Sequence, residues 1–252
     1  MMIRTKALVI KEHIVGESDK YITLFTKELG RIQAIAPKAK KADKGFASST
    51  QLFVYGDFML TSYKDTYRLI SVDLIEMFHN IRNDLSTLSY GSYIMEFIYY
   101  VTEPGLMQSE LLKLTLVTLK ALSKQQADCK RIRRVFEIRA LGLLGFMPQL
   151  YECTHCGTLL AEKEEASYYF SAEAGGILCQ GCRGNYIDVT TLGYSTLYTL
   201  RYILSIPLKQ LYYFKVNEQV QRELDVIGSR YIHYYVDHAF KTLDFINKLE
   251  EL

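Results

Sequence analysis

Tryptophan is absent, there are only four prolines, and no apolar run approaches the roughly 18 residues that a bilayer-spanning helix needs. A membrane span is therefore not expected. Residues 1–11 lack a long apolar core and carry charge from Arg4 onward, so no secretory leader is expected. No internal repeat or low-complexity tract appears. Motifs of common enzyme classes are also missing. There is no phosphate-binding G-x-x-x-x-G-K-[ST] loop, and the Gly16–Asp19 stretch is not one. Neither H-E-x-x-H nor G-x-S-x-G occurs, and the acids form no obvious nuclease cluster. His233, Asp237 and His238 fall close together, but no third ligand accompanies the His233–Asp237 pair, and a surface contact is the plainer reading. The reading is a protein that binds rather than one that cuts.

The 252 residues are 49% hydrophobic and 23% charged, enough for one large domain or a few small ones. Aromatic content rests on 20 Tyr and 12 Phe, which suit core, surface and base-stacking roles alike. A net charge of only +2 hides an uneven distribution. Residues 20–50 and residues 120–139 each carry a local charge of +5, whereas residues 151–184 carry −3. Five cysteines, four of them in two C-x-x-C pairs, suit a reducing compartment and a metal better than a disulfide scaffold.

Periodicity divides the chain. Residues 7–15, 21–26, 31–36, 52–63 and 67–77 read as strands, with a turn at Glu28-Leu29-Gly30 and a second at Lys64-Asp65-Thr66. Five short strands within about eighty residues suit a small closed barrel such as an OB-fold. Beyond Asn80 the spacing becomes helical over 85–101, 109–122 and 130–144, then again over 190–204 and a long 216–249 tract. The expected fold class is α+β: an N-terminal OB-fold barrel, then a helical domain with an inserted four-cysteine zinc-ribbon module. The expected boundaries are 1–80 for the barrel, 81–150 and 188–252 for the helical domain, and 151–187 for the zinc module.

Cys153 and Cys156 form one C-x-x-C turn, and Cys179 and Cys182 form another 22 residues later. Each turn aims two thiolates at one ion, and four thiolates make a closed tetrahedral site for a single structural Zn²⁺. Residues 167–170 and the Gly175-Gly176 turn fit a ribbon hairpin between them. Redox pairs are the alternative, but no thioredoxin-like unit accompanies them. His155 inside the first turn reads as a spacer, and Cys129 as a thiol without a role.

Two basic regions remain open on residue chemistry alone. Arg31, Lys38, Lys40, Lys41 and Lys44 sit on or beside a loop leaving the barrel, either following a phosphate backbone or simply solvating the loop. Arg133, Arg134 and Arg139 lie on the 130–144 helix, with Arg139 inside the stripe of Ile132, Val135, Phe136, Ala140 and Leu143. That arginine needs a partner, with Glu96 one conceivable mate. Otherwise the helix forms an apolar groove with cationic edges, suited to an acidic peptide ending in an aromatic residue.

Ordered motifs over residues 1 to about 190 add a resemblance. They are Gly16-Glu17-Ser18-Asp19-Lys20, Leu24-Phe25-Thr26, Gly30-Arg31 and Ala36-Pro37-Lys38-Ala39-Lys40-Lys41. Leu52, Tyr55-Gly56-Asp57, Phe136-Glu137-Ile138-Arg139, Leu144-Gly145-Phe146, Pro148, Leu150 and Cys153-x-x-Cys156-Gly157 continue the series. Together they resemble the RecO family of recombination and DNA-repair mediators. The resemblance implies binding of single- and double-stranded DNA and annealing of complementary strands. It further implies cooperation with a RecR-type protein, docking of the acidic C-terminal tail of single-stranded-DNA-binding protein, and help in loading a RecA-type recombinase. A cytoplasmic, nucleoid-associated location follows. Under it, Arg31, Lys38, Lys40, Lys41 and Lys44 are expected to contact DNA, and Arg133, Arg134 and Arg139 to dock the tail. The family often has arginines in the loop where this chain has lysines, which keep phosphate binding but lack the bidentate fork. An RNA-binding or transcription-linked zinc-ribbon protein, or a non-enzymatic scaffold, are the rival readings.

Overall fold

Alternating burial along the first 76 residues produces five strands: β1 (Met2–Val15), β2 (Asp19–Thr26), β3 (Arg31–Ala36), β4 (Tyr55–Tyr63) and β5 (Thr66–Glu76). They were located in a computed structural model that describes residues 1–39, 46–63, 66–160 and 166–250. The strands close into a barrel in the order β1-β2-β3-β5-β4. All neighbours are antiparallel except β3 and β5, which pair in parallel through Ala34–Tyr67 and Ile35–Arg68. This is the five-stranded Greek-key barrel of OB-folds. Its interior holds Ile22, Leu24, Val54, Phe58, Leu60 and Leu69, with alanines at positions 7, 34 and 36 where space is short. At Gly30, φ is 65° and any Cβ would strike the Glu103 carbonyl at 2.3 Å, so the turn accepts no side chain.

Helix α1 (Leu85–Val101) starts at Asp84, whose carboxylate accepts the Thr87 N–H and hydroxyl, both at 2.8 Å. It is apolar nearly all round because α2 (Ser109–Ser123), β1 and α6 (Lys241–Glu250) all pack on it. Phe240 enters a cluster of Tyr93, Phe97 and Tyr100. Glu96 accepts the first N–H groups of α6, from Lys241 and Thr242.

The remaining elements are α3 (Cys129–Leu143), β6 (Ser167–Ser171), β7 (Gly176–Leu178), β8 (Val189–Gly193), α4 (Tyr194–Ser205) and α5 (Glu218–Val236). Two sequence expectations change here. Residues 190–193 are not helical: the β-branched run Val189-Thr190-Thr191 supplies β6 with its second neighbour, giving a β7-β6-β8 sheet. The 216–249 tract is also not one helix. It breaks at Asp237, where φ is 31°, and resumes as α6. Contacts group residues 1–125 and 240–252 into one compact unit and residues 126–239 into another. The first therefore holds the barrel, α1, α2 and α6, and the second holds the cysteine segment with α3, α4 and α5. Among the described residues, no helix is long and apolar enough to cross a membrane.

A buried charge network joins α3 to α5. Arg134 Nη1 donates to Glu137 at 2.6 Å, Nε to Asp225 at 3.2 Å and Nη2 to Ser229 at 2.8 Å. Gly228 makes room: a Cβ there would meet the Arg134 side chain at 2.3 Å. Gly228→Ala is expected to displace this guanidinium and cost about 2–4 kcal/mol, read by urea unfolding. A midpoint and slope equal to the parent's would contradict it. Asp84→Ala should cost about 1 kcal/mol. The Thr87 N–H, then its hydroxyl, hold the Asp84 carboxyl below its ordinary value. The cap's contribution is thus present above the unfolded-state pKa and fades as pH falls through the depressed one.

Candidate metal centre and nucleic-acid interface

Two short turns form the candidate metal centre. The first is closed by Gly157 N–H donating to the Cys153 carbonyl at 2.8 Å, the second by Cys182 N–H donating to the Cys179 carbonyl at 3.1 Å. Thr154 N–H donates to the Ile177 carbonyl at 2.9 Å, fastening the first turn to β7 just ahead of Cys179. As a result the Sγ atoms of Cys153, Cys156, Cys179 and Cys182 all lie within 4.8 Å of one another. Cys156 and Cys179 sulfurs are 3.8 Å apart. A tetrahedron with metal–sulfur bonds of about 2.3 Å has sulfur–sulfur edges of about 3.8 Å, so the cluster fits a four-thiolate ion.

The thiols differ electrostatically. The Thr158 hydroxyl, then its N–H, hold Cys156 down at about 6, whereas Cys179 beside it pushes Cys182 up to about 12. Burial pushes Cys153 up, but the N–H groups of Cys179, Cys156 and His155 bring it below its usual value. Four anions this close repel one another, and a dication offsets that repulsion. His155 stands outside the cluster, its ring nitrogens facing the Tyr186 hydroxyl at 3.2 Å and the Asn185 amide at 3.3 Å. Cys129, His233, Asp237 and His238 are not part of it either.

The barrel supplies the second feature. Strict alternation would place Lys11 and His13 on the same inward face as Ala7 and Val9. A bulge between Val9 and Lys11 shifts the register by one, so Val9 faces core Leu24 while Lys11 faces Thr23 and His13 faces Tyr21. His13, Tyr21, Ile35 and Arg68 thereby form one cross-strand row on the outer surface. The His13 and Tyr21 rings stack at 5.3 Å with planes 22° apart. Near the row's end, Asp19 accepts the Lys38 N–H at 2.9 Å, and that contact foremost lowers its carboxyl pKa. Lys38 is exposed with φ at 56°, at the start of the basic loop. Lys40, Lys41 and Lys44 lie outside the described residues.

Arg31 is half-buried and partly engaged. Its Nε donates to the Thr102 carbonyl at 3.0 Å, and its guanidinium lies 4.4 Å from the Tyr99 ring centre, with Lys11 at 4.5 Å from the same ring. It also lines a cleft of about 460 Å³ with Gln33, Tyr67 and Pro104. His13, Tyr21 and Arg68 are the surface residues that sequence reasoning missed; their alignment depends on register across four strands.

The three helical arginines separate. Arg133 and Arg134 are buried, at 7% and 2% exposure, and Arg133 lies 3.8 Å from Glu137. Arg139 is half-buried and donates to the carbonyls of Ile203 and Ile206, at 3.1 and 3.3 Å, at the end of α4. One turn further along α3 Leu143 is exposed, as is Met147, whose side chain meets Leu204 over Gly142.

Purified chain is expected to carry one metal ion, and Cys179→Ser to lose it with a marked fall in melting temperature. Elemental analysis beside a thermal melt checks this; a variant that keeps full metal content would refute the four-thiolate set.

Comparison with known proteins agrees across the whole chain. A family model described as Recombination protein O N terminal matches residues 1–78, and one described as Recombination protein O C terminal matches residues 82–244. The chain is 35% identical over 250 residues to a DNA repair protein RecO of Acetivibrio thermocellus, covering 99% of this chain and 98% of the relative. It is 32% identical over 251 residues to the DNA repair protein RecO of a Thermoanaerobacter species, covering 100% and 99%. A relative of the same name from Alkaliphilus metalliredigens is 29% identical, covering 99% and 100%. With a closed five-stranded barrel, a helical region and a four-cysteine cluster in the expected order, the chain belongs to the RecO family of DNA repair proteins.

Proposed function

We propose that this chain is a non-enzymatic mediator of DNA repair and recombination. It binds single- and double-stranded DNA, anneals complementary strands and helps load a RecA-type recombinase onto DNA coated with single-strand-binding protein. The observation that carries this reading is the outer barrel row His13–Tyr21–Ile35–Arg68, which runs beside exposed Lys38. A stacked ring pair offers a face to an unpaired base, and flanking cations offer charge to phosphates. Arg31, Lys38, Lys40, Lys41 and Lys44 continue the phosphate track in this proposal. The family membership supports it, as does the name DNA repair protein carried by the relatives.

The division of labour follows from the expected boundaries. Residues 1–80 hold one strand, the helical segments 81–150 and 188–252 meet protein partners, and residues 151–187 bind one structural Zn²⁺ that braces the second unit. Tail docking of single-strand-binding protein centres on Arg139. The exposed Leu143 and Met147 form the apolar floor, and Arg201, whose guanidinium lies 4.3 Å from the Tyr151 ring centre, forms a second cationic edge. Arg133 and Arg134 serve by holding α3 in place. A RecR-type protein completes the assembly, in the cytoplasm at the nucleoid. Charge neutralisation along the first strand lowers the repulsion that opposes the second, so annealing needs no nucleotide and breaks no bond.

Annealing of labelled complementary oligonucleotides coated with cognate single-strand-binding protein, without ATP, tests the whole reading. Rapid annealing that vanishes when the protein's acidic tail is removed is expected. Met147→Glu should abolish only the tail-dependent part. Tyr21→Ala combined with Arg68→Glu should weaken single-strand affinity about tenfold. Each lost phosphate contact should flatten the log–log salt dependence by about 0.7. Absence of annealing by folded, metal-loaded protein would reject the mediator function. Tighter binding to matched RNA than to DNA would favour the RNA-binding rival instead.

A further inference from the structure

The second unit contains a cleft that none of these roles uses. It has a volume of about 540 Å³, within the range of roughly 300–1,000 Å³ typical of small-molecule sites. Tyr194 and Tyr198 form one wall; they sit four residues apart on α4, with ring centres 6.5 Å apart and planes 37° from parallel. Tyr198 is 58% exposed, so its ring presents an open face to the cleft. The opposite wall is the segment entering α5, with Lys215, Val216 and Asn217. Lys215 is the one charged side chain among the lining residues.

The polar groups around the cleft have defined orientations. Asn217 uses its amide oxygen to cap α5, accepting the Val220 N–H at 2.9 Å, so its NH₂ is the remaining donor end. Ser195 is exposed in the first turn of α4. The N-termini of α4 and α5 line the cleft but are already capped, α4 by the Glu223 carboxylate and α5 by Asn217, so the positive charge here is that of Lys215. Two carboxylates lie nearby but are engaged. Glu223 accepts from the Gly193 N–H and the Thr196 hydroxyl, and Glu218 lies 3.6 Å from Arg222.

We propose that this cleft binds one nucleotide unit of single-stranded nucleic acid, its base against Tyr194 and Tyr198 and its phosphate at Lys215. The base must be unpaired, because a duplex keeps both faces of each base inside its own stack. The inference rests on the nucleic-acid reading of the chain, but it assigns a second contact, in the unit that does not contain the barrel. A protein holding single strands at two separate places can bring two of them together, and this is the requirement of annealing.

The test uses the full chain with a single-stranded oligonucleotide carrying 5-iodouracil, irradiated and then digested with trypsin. Cleavage after Arg183 and Arg201 releases residues 184–201, which contain both tyrosines. Cross-links are expected on that peptide. They should persist when Tyr21→Ala and Arg68→Glu disable the barrel row. Tyr198→Ala should reduce them at least about fivefold, while Tyr198→Phe, which keeps the stacking face, should retain them. Lys215→Glu should weaken the same contact and flatten its salt dependence by about 0.7. Cross-links confined to residues 1–80, with Tyr198→Ala and Lys215→Glu binding like the parent, would overturn the second site while leaving the proposed function standing. A parent protein that takes up no oligonucleotide at physiological salt would overturn both.

Discussion

Arg134 is the charge on which the second unit is built. A guanidinium with almost no solvent contact is tolerable only when every donor direction is answered, because an isolated buried charge costs several kcal/mol. Glu137 answers from one turn along α3, and Asp225 and Ser229 answer from α5. Asp225 also lies 3.8 Å from Lys130, so the network continues to the start of α3. Such a set of partners exists in only one relative placement of the two helices. The rest of the unit builds on that placement. Leu224 and Ile227 of α5 are buried, and Phe170 of the β7-β6-β8 sheet meets Tyr231 edge-on. The start of α5, one wall of the tyrosine cleft, is therefore carried by a helix that salt bridges fix against α3.

A different device organises the barrel. Its interior is small and apolar, so its strands are free to use the outer face for chemistry. One extra residue in β1 decides which side chains reach that face. Without the bulge beside Ile10, Lys11 and His13 would point into a core that has no room for them. With it, His13 joins Tyr21, Ile35 and Arg68 across four strands. The charged loop that follows β3 starts at this same edge, where Asp19 holds the Lys38 backbone. The stacked His13–Tyr21 pair, Arg68 and the exposed Lys38 thus share one edge of the barrel by construction.

Much of the architecture could be read along the chain. The strands at 21–26 and 31–36 and the helix at 85–101 follow from periods of two and of 3.6, which any local window detects. Other features resisted that reading. The tract from 216 to 249 keeps an apolar helical period, yet it turns at Asp237, because Phe240 belongs with Tyr93 and Phe97 more than a hundred residues upstream. Thr190–Leu192 carries no decisive period and becomes a strand because β6 has an open edge beside it. Arg133 and Arg134 read as surface cations until Glu137 and α5 enclose them.

The metal centre and the barrel mark the two ends of this range. Two C-x-x-C turns 22 residues apart dictate a four-thiolate cluster in advance, since each turn already orients its own pair and a short hairpin brings the pairs together. That information is local, and a linear sequence carries it whole. The aromatic row, the apolar patch beside Arg139 and the tyrosine cleft contain residues that nothing in their neighbourhoods along the chain distinguishes. Strand register, one bulge and the Arg134 network bring them side by side, and these depend on contacts between distant segments, which no local pattern encodes.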